Sequence, residues 1–495
     1  MKSRKTLTPN WDISLLNQLG VTIHRVEVDS RRLFPGDIFL AYPGSVTDGR
    51  NFIPVALQAG TAAILWDPVG NFIWQPTWSV PNLAVPYLRE HAGVIASHVY
   101  QYPSQRMNVI GITGTNGKTS IAHGLAQAFS LLGHKAALIG TVGSGFYGAL
   151  TEVAHTTPDP VILQQKLFEY YRQEARVVTV EVSSHALEQG RVNGVHFSTA
   201  LFTNLTRDHL DYHGTMEAYG AAKARLFYWE GLKHAIVNVD DPFGARLAAG
   251  IDNQVETIRY GSQSGDVRAL SLQTSLEGLR LTTATPWGKA EICSPLLGRF
   301  NALNLLACLA TLCVNGVSLS DAAHILSQIQ PAYGRMQRMG GGNEPLVIID
   351  YSHTPDALEK ALVTAAELCG EPHRLYCVFG CGGERDVGKR PLMGRIAQRI
   401  ADTVVVTSDN PRTEDPQAII NDILAGMRLP VQCEVDRELA IHWAITQAQK
   451  NDIVLIAGKG HEEYQDVSGI KRSFSDLKVA EQALIEWRKV HHVDA

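Results

Sequence analysis

The chain contains little cysteine and no closely spaced cysteine pair. Seven cysteines occur in 495 residues, and none is followed by another after just two intervening positions. Neither a disulfide framework nor a CxxC-type zinc site is therefore predicted. We expect all seven to be free thiols in a reducing compartment, buried as small apolar residues.

Strong positive charge and long apolar segments are also missing. The 44 Lys and Arg residues are outnumbered by 49 Asp and Glu, and the formal net charge of -5 gives no electrostatic basis for binding nucleic acid. No stretch approaches the roughly 18 apolar residues that span a bilayer, and the basic start MKSRK lacks the apolar region of a signal peptide. We therefore predict a cytoplasmic protein without membrane insertion or a nucleic-acid partner.

The sequence is instead dominated by short apolar runs that alternate with amphipathic stretches. With 495 residues, 45% of them hydrophobic, the chain exceeds one ordinary core. The alternation predicts an α/β fold with parallel layers. Strands are expected at 109–113, 177–182, 199–203, 235–239, 346–350, 375–379, 403–407 and 453–457. Residues 262–291 alternate as a further β-rich segment.

Two breaks divide the chain into three predicted domains. One lies at Tyr102-Pro103-Ser104, and the other is the run Gly340-Gly341-Gly342-Asn343 between a helical region and a new strand. The predicted domains are residues 1–104, 105–338 and 339–495.

A glycine-rich loop, Gly111-Ile-Thr-Gly-Thr-Asn-Gly-Lys-Thr119, lies between an apolar strand and a helical stretch. Glycines let backbone N–H groups approach phosphate, Lys118 can reach terminal phosphates, and the Thr119 hydroxyl can ligate Mg²⁺. The helix dipole adds positive potential. Ile112 departs from the generic pattern, which has glycine there. The predicted nucleotide-binding residues of the loop are Gly114, Thr115, Asn116, Gly117, Lys118 and Thr119.

The loop's GTNGKT form and several further blocks resemble the Mur ligase family. The blocks are Glu181-Val-Ser-Ser-His185, the segment 203–213, the helix containing Lys223, Gly298-Arg-Phe-Asn-Ala-Leu-Asn304, Asp29-Ser-Arg31 with Pro35-Gly-Asp-Ile-Phe39, Asp350-Tyr-Ser-His-Thr-Pro-Asp356 and Gly380-Cys-Gly-Gly-Glu-Arg-Asp386. The resemblance covers nearly the whole chain. It implies a monomer with an N-terminal UDP-binding α/β domain, a central P-loop ATPase-type parallel sheet and a C-terminal Rossmann-like domain.

The resemblance further implies ATP-dependent amide-bond formation through an acyl phosphate, in the synthesis of a cell-wall precursor. Such chemistry relies on positioning and charge neutralisation, and no Ser–His or Cys–His block of a hydrolase elbow occurs. The implied catalytic residues are Lys118, Glu181, His209 and Lys223. The implied Mg²⁺ ligands are Thr119, Glu181, His209 and, if carbamylated, Lys223. The implied ATP contacts outside the loop are Asn301, Asn304, Arg335 and Asp350.

The residues alone leave alternatives open for three of these side chains. Glu181 could equally be a capping or salt-bridged carboxylate. His209 alone would more often be a structural histidine, and Lys223 alone reads as a solvated lysine on an Ala-rich helix. Their joint occurrence after a phosphate loop favours a metal site.

Substrate recognition is also implied by the resemblance. The predicted contacts to the UDP portion are Val28, Ser30, Ser45 and Thr47. Those to the muramoyl peptide are His155, Thr156, Thr157, Ser183, Gln189 and Arg191. Those to the added amino acid are Arg385, Asp409, Asn410, Pro411, Arg412, Gly458 and Glu462.

The block Asp409-Asn-Pro-Arg412 resembles the signature of family members that add meso-diaminopimelate to UDP-N-acetylmuramoyl-L-alanyl-D-glutamate. Diaminopimelate differs from lysine by a second carboxylate, which a guanidinium such as that of Arg412 can bind through two parallel hydrogen bonds. Rival hypotheses are a lysine-adding ligase, another Mur or folylpolyglutamate-type ligase, a P-loop kinase and a non-catalytic nucleotide-binding module. The Asp409–Arg412 block and the first domain count against the other ligases, and a kinase would not need Glu181, His209 and Lys223 together.

Overall fold

A computed structural model describes residues 11–44, 47–153 and 155–492. Its strands form a four-stranded, an eleven-stranded, a six-stranded and a two-stranded sheet within those ranges. Helices cover the larger sheets, so the expected α/β class with parallel layers is confirmed. No helix in this part of the chain is long and apolar enough to cross a membrane.

The first sheet is small and entirely parallel. Its strands, in spatial order, are β1 (Val26–Glu27), β2 (Ile38–Ala41), β3 (Ala63–Trp66) and β4 (Asn82–Ala84). Helices α1 (Ile53–Gln58) and α2 (Leu88–Val99) accompany it. The strand β2 is buried along its whole length, as expected for a parallel strand covered on both faces.

The second sheet carries the glycine-rich loop. Its strands are β5 (Asn108–Thr113), β6 (Ala136–Gly140), β7 (Gly143–Phe146), β8 (Ala149–Thr151), β9 (Val177–Glu181), β10 (Thr199–Phe202), β11 (His234–Asn238), β12 (Glu256–Gly261), β13 (Val267–Ser275), β14 (Gly278–Thr285) and β15 (Gly288–Ser294). Their spatial order is β15-β14-β13-β12-β11-β10-β5-β9-β6-β7-β8. The strands from β6 to β13 pair in parallel in this order. The strands β13, β14 and β15 at one edge, and β6, β7 and β8 at the other, pair antiparallel.

Helices pack on both faces of this sheet. They are α3 (Lys118–Leu131), α4 (Pro160–Arg172), α5 (Ser184–Glu188), α6 (Leu210–His213), α7 (Met216–Ala224), α8 (Pro242–Gly250), α9 (Arg299–Val314) and α10 (Leu319–Leu326). Alternate residues of β5 point to opposite faces: Ile110 and Ile112 join one core cluster, and Val109 joins the other. The phosphate loop therefore leaves a strand that is fixed from both sides.

The third sheet has the order β16-β17-β21-β18-β19-β20. Its strands are β16 (Gln337–Gly340), β17 (Leu346–Asp350), β18 (Leu375–Phe379), β19 (Thr403–Thr407), β20 (Gln432–Glu434) and β21 (Ile453–Ala457). The strands β22 (Tyr464–Val467) and β23 (Ile470–Ser473) form a separate ribbon. The helices are α11 (Pro355–Cys369), α12 (Arg390–Ile400), α13 (Pro416–Leu424), α14 (Arg437–Gln447) and α15 (Asp476–His491).

The glycine run at 340–343 is not the flexible linker expected from the sequence. It closes an antiparallel hairpin between β16 and β17, and Gly340, Gly341 and Gly342 all have positive φ. Glycine adopts this conformation at little cost. The predicted boundary after residue 338 thus falls inside β16, which belongs to the third sheet.

The cysteines all lie in the described ranges and form no disulfide, as expected, but the expectation that all of them are buried is wrong. All seven thiols are free. Cys293 and Cys433 are exposed, and Cys369 is half-buried. Cys293 is the penultimate residue of the outermost strand β15 and Cys433 lies in the edge strand β20, where one side of the strand lacks a neighbour.

Candidate active site

The phosphate loop is held rigidly between β5 and α3. A side chain at Gly114 would place its Cβ 1.8 Å from Thr203 Oγ1, so only glycine fits there. Thr203 Oγ1 donates to the carbonyl of Asn116 at 2.6 Å, fastening the loop to the end of β10. Lys118 Nζ donates to the carbonyls of Gly114 and Thr115, each at 2.8 Å, and so lies along the inside of its own loop.

Glu181 ends β9, beside the loop, and its side chain is completely buried. Its carboxylate accepts from Thr119 Oγ1 at 2.9 Å, from the Thr141 backbone N–H at 2.8 Å and from Thr141 Oγ1 at 3.2 Å. Arg335 Nη2 donates to Thr119 Oγ1 at 3.0 Å. The structure thus brings Thr119, Glu181 and Arg335 together, at the carboxyl edge of the sheet where α/β proteins bind ligands.

Lys223 lies on α7 beneath the same loop, and only 1% of the residue is exposed. The interpretation as a solvated lysine is therefore wrong. Its Nζ donates to the Gly114 carbonyl at 2.7 Å and lies 4.3 Å from the Tyr219 ring centre. Burial lowers the pKa of Lys223 well below its ordinary value, and the neighbouring charge of Lys118 lowers it further. The neutral form of this amine is consequently more accessible than that of an exposed lysine.

His209 follows β10 and has left-handed backbone geometry, with φ of 53°. Its Nε2 lies 3.3 Å from Asp208 Oδ2, and its ring meets His185 edge-on at 4.8 Å. Burial lowers the pKa of His209 against the opposing attraction of Asp208, so the ring is held neutral. Within the described residues, the Glu181 carboxylate forms no hydrogen bond or ion pair with His209.

The nucleotide-binding candidates outside the loop approach it from two directions. Asn304 Nδ2 donates to Asn301 Oδ1 at 2.7 Å on α9, and a Cβ at Gly117 would lie 2.9 Å from Asn304 Oδ1. The Arg335 guanidinium lies 4.6 Å from the Tyr351 ring centre. Next to it, Asp350 accepts from the Met336 backbone N–H at 2.8 Å and from the Ser352 hydroxyl.

The residues predicted to hold the muramoyl peptide form one connected group below Glu181. Thr157 Oγ1 donates to the Glu181 carbonyl at 2.7 Å and accepts from the Ser183 N–H at 3.1 Å. Arg191 Nη1 donates to the Thr157 carbonyl at 3.0 Å, and its Nε donates to Gln189 Oε1 at 2.8 Å.

Two further candidates of this group lie at its edge. Thr156 Oγ1 hydrogen-bonds Thr141 Oγ1 at 2.9 Å, which connects it with the Glu181 cluster. His155 is exposed. Arg191 contributes to lowering the pKa of His155, after burial.

The residues predicted for the UDP portion belong to the first sheet. Val28 and Ser30 follow β1, and the Val28 N–H donates to the buried Glu27 carboxylate at 2.8 Å. Thr47 is exposed, and its carbonyl accepts from the Gly44 N–H at 2.9 Å. Ser45 lies outside the described residues.

The residues predicted for the added amino acid converge at the ends of β19 and β21. Asn410 Nδ2 donates to Glu462 Oε2 at 2.7 Å. A Cβ at Gly458 would lie 2.6 Å from Asp409 Oδ2, so this glycine leaves room for the carboxylate. The carbonyl of Pro411 would lie 2.0 Å from a Cβ at Gly383, so the adjoining loop packs closely on this block.

Two arginines flank that loop. Arg412 has φ of 52°, and its Nη1 donates to the Gly383 carbonyl. A Cβ at Gly382 would lie 3.0 Å from Arg412 Nη1 and 4.0 Å from Arg385 Cγ. Arg385 is exposed, and its charge is a minor cause of the lowered pKa of His185, after burial, His213 and Arg191.

Sequence reasoning missed three residues that shape this region. Thr141 follows β6 and binds Glu181 through two groups; its position after a strand of the same sheet edge is the signal that could have found it. Asp208 lies beside His209 and 4.0 Å from His353 Nε2. Lys459 is fully buried between Asn410 and Glu462, in the Gly458–Glu462 block.

Three family models match successive parts of the chain. They are the Mur ligase family catalytic domain at residues 22–100, the Mur ligase middle domain at residues 112–312 and the Mur ligase glutamate ligase domain at residues 334–460.

Several proteins similar to this chain share one name. A UDP-N-acetylmuramoyl-L-alanyl-D-glutamate--2,6-diaminopimelate ligase of Chromobacterium violaceum is 66% identical over 491 residues, covering 99% of this chain and 100% of that protein. A ligase of the same name from Neisseria meningitidis serogroup A is 53% identical, covering 96% of each chain. A solved structure with this name superimposes with a TM-score of 0.67 at 36% identity, covering 95% of each chain. The chain belongs to the Mur ligase family.

Proposed function

We propose that this chain is an ATP-dependent ligase that joins meso-diaminopimelate to the γ-carboxylate of the D-glutamate in UDP-N-acetylmuramoyl-L-alanyl-D-glutamate. One observation carries the proposal. The Asp409–Arg412 block meets Gly458 and Glu462 in a chain that is 66% identical to a ligase named for diaminopimelate.

The reaction begins with a carboxylate, which is a poor electrophile. Transfer of the ATP γ-phosphoryl group to a carboxylate oxygen gives an acyl phosphate and ADP. The free amine of diaminopimelate then attacks the carbonyl carbon, the C–O bond to phosphate breaks, and the amine loses a proton as the amide forms. Lys118 and the loop N–H groups would neutralise phosphate charge during the transfer, for which Lys118 must exchange its present carbonyl partners for phosphate oxygens.

The donor set near Thr119 fits a Mg²⁺ ion. A hydroxyl and a buried carboxylate lie 2.9 Å apart there, and Mg²⁺ prefers oxygen ligands. Within the described residues no three His, Cys, Asp or Glu side chains converge on one point. A carbamate on Lys223 would add the missing anionic oxygens, with His209 as a further candidate ligand. When bound, the ion supplies positive charge that neutralises the transferred phosphoryl group.

Selection of diaminopimelate would rest on charge complementarity. The far end of diaminopimelate carries a carboxylate and an ammonium, whereas lysine carries only the ammonium. Arg412 would take the carboxylate through its guanidinium, and Asp409 and Glu462 would take the ammonium. Because both ATP and a UDP-linked acceptor are cytoplasmic metabolites, we place the reaction in the cytoplasm, carried out by a monomer.

The test is phosphate release from ATP, Mg²⁺ and UDP-N-acetylmuramoyl-L-alanyl-D-glutamate, with either meso-diaminopimelate or L-lysine. We expect release with diaminopimelate and little with lysine. Arg412→Lys should lower kcat/KM for diaminopimelate by about 100-fold, since a buried charge-assisted pair contributes roughly 2–3 kcal/mol, with the KM for ATP unchanged.

The matched control is Arg428→Lys, an exposed arginine of the same domain, which should behave like the wild type. Release with lysine alone would overturn the choice of amino acid. Phosphate release that needs neither amine would overturn the ligase assignment. Formation of ADP and a phosphorylated product without phosphate release would favour a kinase.

A further inference from the structure

Lys459 is a fully buried lysine that directly follows the β21–Gly458 turn. Its Nζ donates to Asn410 Oδ1 at 3.0 Å and to Glu462 Oε2 at 2.9 Å, and lies 5.6 Å from the Tyr464 ring centre. Removing an ammonium group from water is costly unless partners compensate. Both hydrogen-bond partners of this ammonium are residues of the proposed amino-acid pocket.

The first consequence concerns the side-chain amide of Asn410. Its Oδ1 accepts from two donors, Lys459 Nζ at 3.0 Å and the Asp466 backbone N–H at 2.9 Å. The Nδ2 group therefore faces Glu462 Oε2, at 2.7 Å. A rotated amide would set its NH₂ group against both donors and its oxygen against the carboxylate. Lys459 thus fixes Asn410 as a donor towards the pocket.

The second consequence concerns the two carboxylates of the pocket. Glu462 Oε2 is occupied by Lys459 and Asn410, whereas Oε1 has the hydroxyl of Tyr351 at 3.5 Å. Burial raises the pKa of Asp409, but the charges of Lys459 and Arg437 outweigh this and hold it below its usual value. The buried ammonium therefore stabilises the negative charge of Asp409 and occupies one oxygen of Glu462.

We infer that Lys459 is a positioning residue for amino-acid selection, which holds Asn410 as a donor and Glu462 as an acceptor. This inference rests on the proposed function. Glu462 Oε1 then accepts a hydrogen bond from the far ammonium of diaminopimelate. One hydrogen of the Asn410 Nδ2 group points at Glu462. The second hydrogen then binds the far carboxylate of diaminopimelate, which Arg412 also binds. Lys459 itself does not touch the substrate.

The test compares Lys459→Met, which removes charge and donors at similar length, with Lys459→Gln, which can still donate to Asn410 Oδ1. For the Met variant we expect the KM for diaminopimelate to rise about tenfold or more, because the paired groups lose their orientation. Its kcat and the KM for ATP should change less than about threefold, since only binding of the amino acid is affected. The Gln variant should fall between the Met variant and the wild type.

The matched control is Arg488→Met, which removes a half-buried cation paired with Glu344 at 2.6 Å elsewhere in the same domain. The Arg488 variant should lose thermal stability, as the Lys459→Met variant does, but every KM should stay unchanged. An unchanged KM for diaminopimelate in a folded Lys459→Met protein would overturn the inference. An equal rise of the KM for ATP, for the UDP-linked acceptor and for diaminopimelate would also overturn it, by indicating a merely structural role.

The same criteria apply to the Gln variant if the Met variant does not fold. Failure of the proposed function is distinguishable, because the wild type would then use another amine. The KM for that amine in the Lys459 variants still tests the positioning role.

Discussion

At the residue scale, the burial of Lys223 under the phosphate loop decides what its amine can do. A neutral amine can add to CO₂, forming an N–C bond and losing a proton, which replaces a cation by an anionic carbamate. The lowered pKa of Lys223 extends the neutral fraction to lower pH than for an exposed lysine. Carbamate formation should therefore persist near neutral pH and be lost on acidification.

Removal of bicarbonate should accordingly lower the wild-type rate, and added bicarbonate should restore it. Lys223→Ala should lose at least about 100-fold in kcat and gain nothing from bicarbonate, because an ion clamp on the phosphates contributes several kcal/mol. Steady-state phosphate release in CO₂-free buffer measures both effects. Lys233→Ala, at an exposed position, is the control. Full activity of the Lys223 variant at low bicarbonate would contradict the carbamate hypothesis.

Sequence patterns reached those site residues that stand in recognisable blocks. Lys118, Thr119 and Glu181 were predicted at one site, and they surround the same loop in the structure. Thr141 and Lys459 were not predicted, because each is a common residue type whose partners come from distant segments. Only the fold brings Thr141 to Glu181, 40 residues away.

At the element scale, helix α3 carries a partly buried histidine, His123, whose protonation lowers the stability of the fold. Burial lowers the pKa of His123 to about 4, and its ring meets Tyr147 edge-on at 5.4 Å. An unfolded chain would bind a proton here near pH 6.5, whereas the folded chain does not until about pH 4. The contribution of His123 to the free energy of unfolding is therefore complete above pH 6.5. It is lost as the pH falls from 6.5 towards 4.

His123→Phe, which cannot titrate, should flatten this dependence. The wild type should lose on the order of 3 kcal/mol of stability to this group between pH 6.5 and 4, at about 1.4 kcal/mol per pKa unit. Thermal unfolding midpoints at pH 7.5 and pH 5 measure the difference. His324→Phe, at an exposed position on α10, is the control. An identical pH dependence in the His123 variant and the wild type would contradict the prediction.

The elements themselves were largely readable from the sequence. All eight expected parallel-sheet strands are present, with ends that differ by one residue at most. The glycine hairpin at 340–343 was misread, because glycine-rich composition indicates both flexible linkers and tight turns. Its glycines adopt positive φ in a hairpin that the pairing of β16 with β17 closes, and composition alone does not reveal this pairing.

At the scale of the whole molecule, side chains of the third domain reach into the phosphate loop. Asn116 Nδ2 donates to Asp356 Oδ2 at 2.8 Å, and Arg207 pairs with Asp386 at 2.9 Å. These contacts bring the third domain, which carries the proposed amino-acid pocket, against the proposed site of ATP chemistry. The domain limits 1–104, 105–338 and 339–495 stay predictions. A division by sheets would assign the whole of β16 to the third domain.

The central claim is that ATP activates the acceptor's carboxylate for attack by diaminopimelate. The most direct measurement uses UDP-N-acetylmuramoyl-L-alanyl-D-glutamate labelled with oxygen-18 in the γ-carboxylate, together with ATP, Mg²⁺ and meso-diaminopimelate. If an acyl phosphate forms, each released phosphate carries one labelled oxygen, detected by mass spectrometry, and an amide product accumulates in equal amount. Unlabelled phosphate, or phosphate release without amide, would contradict the account.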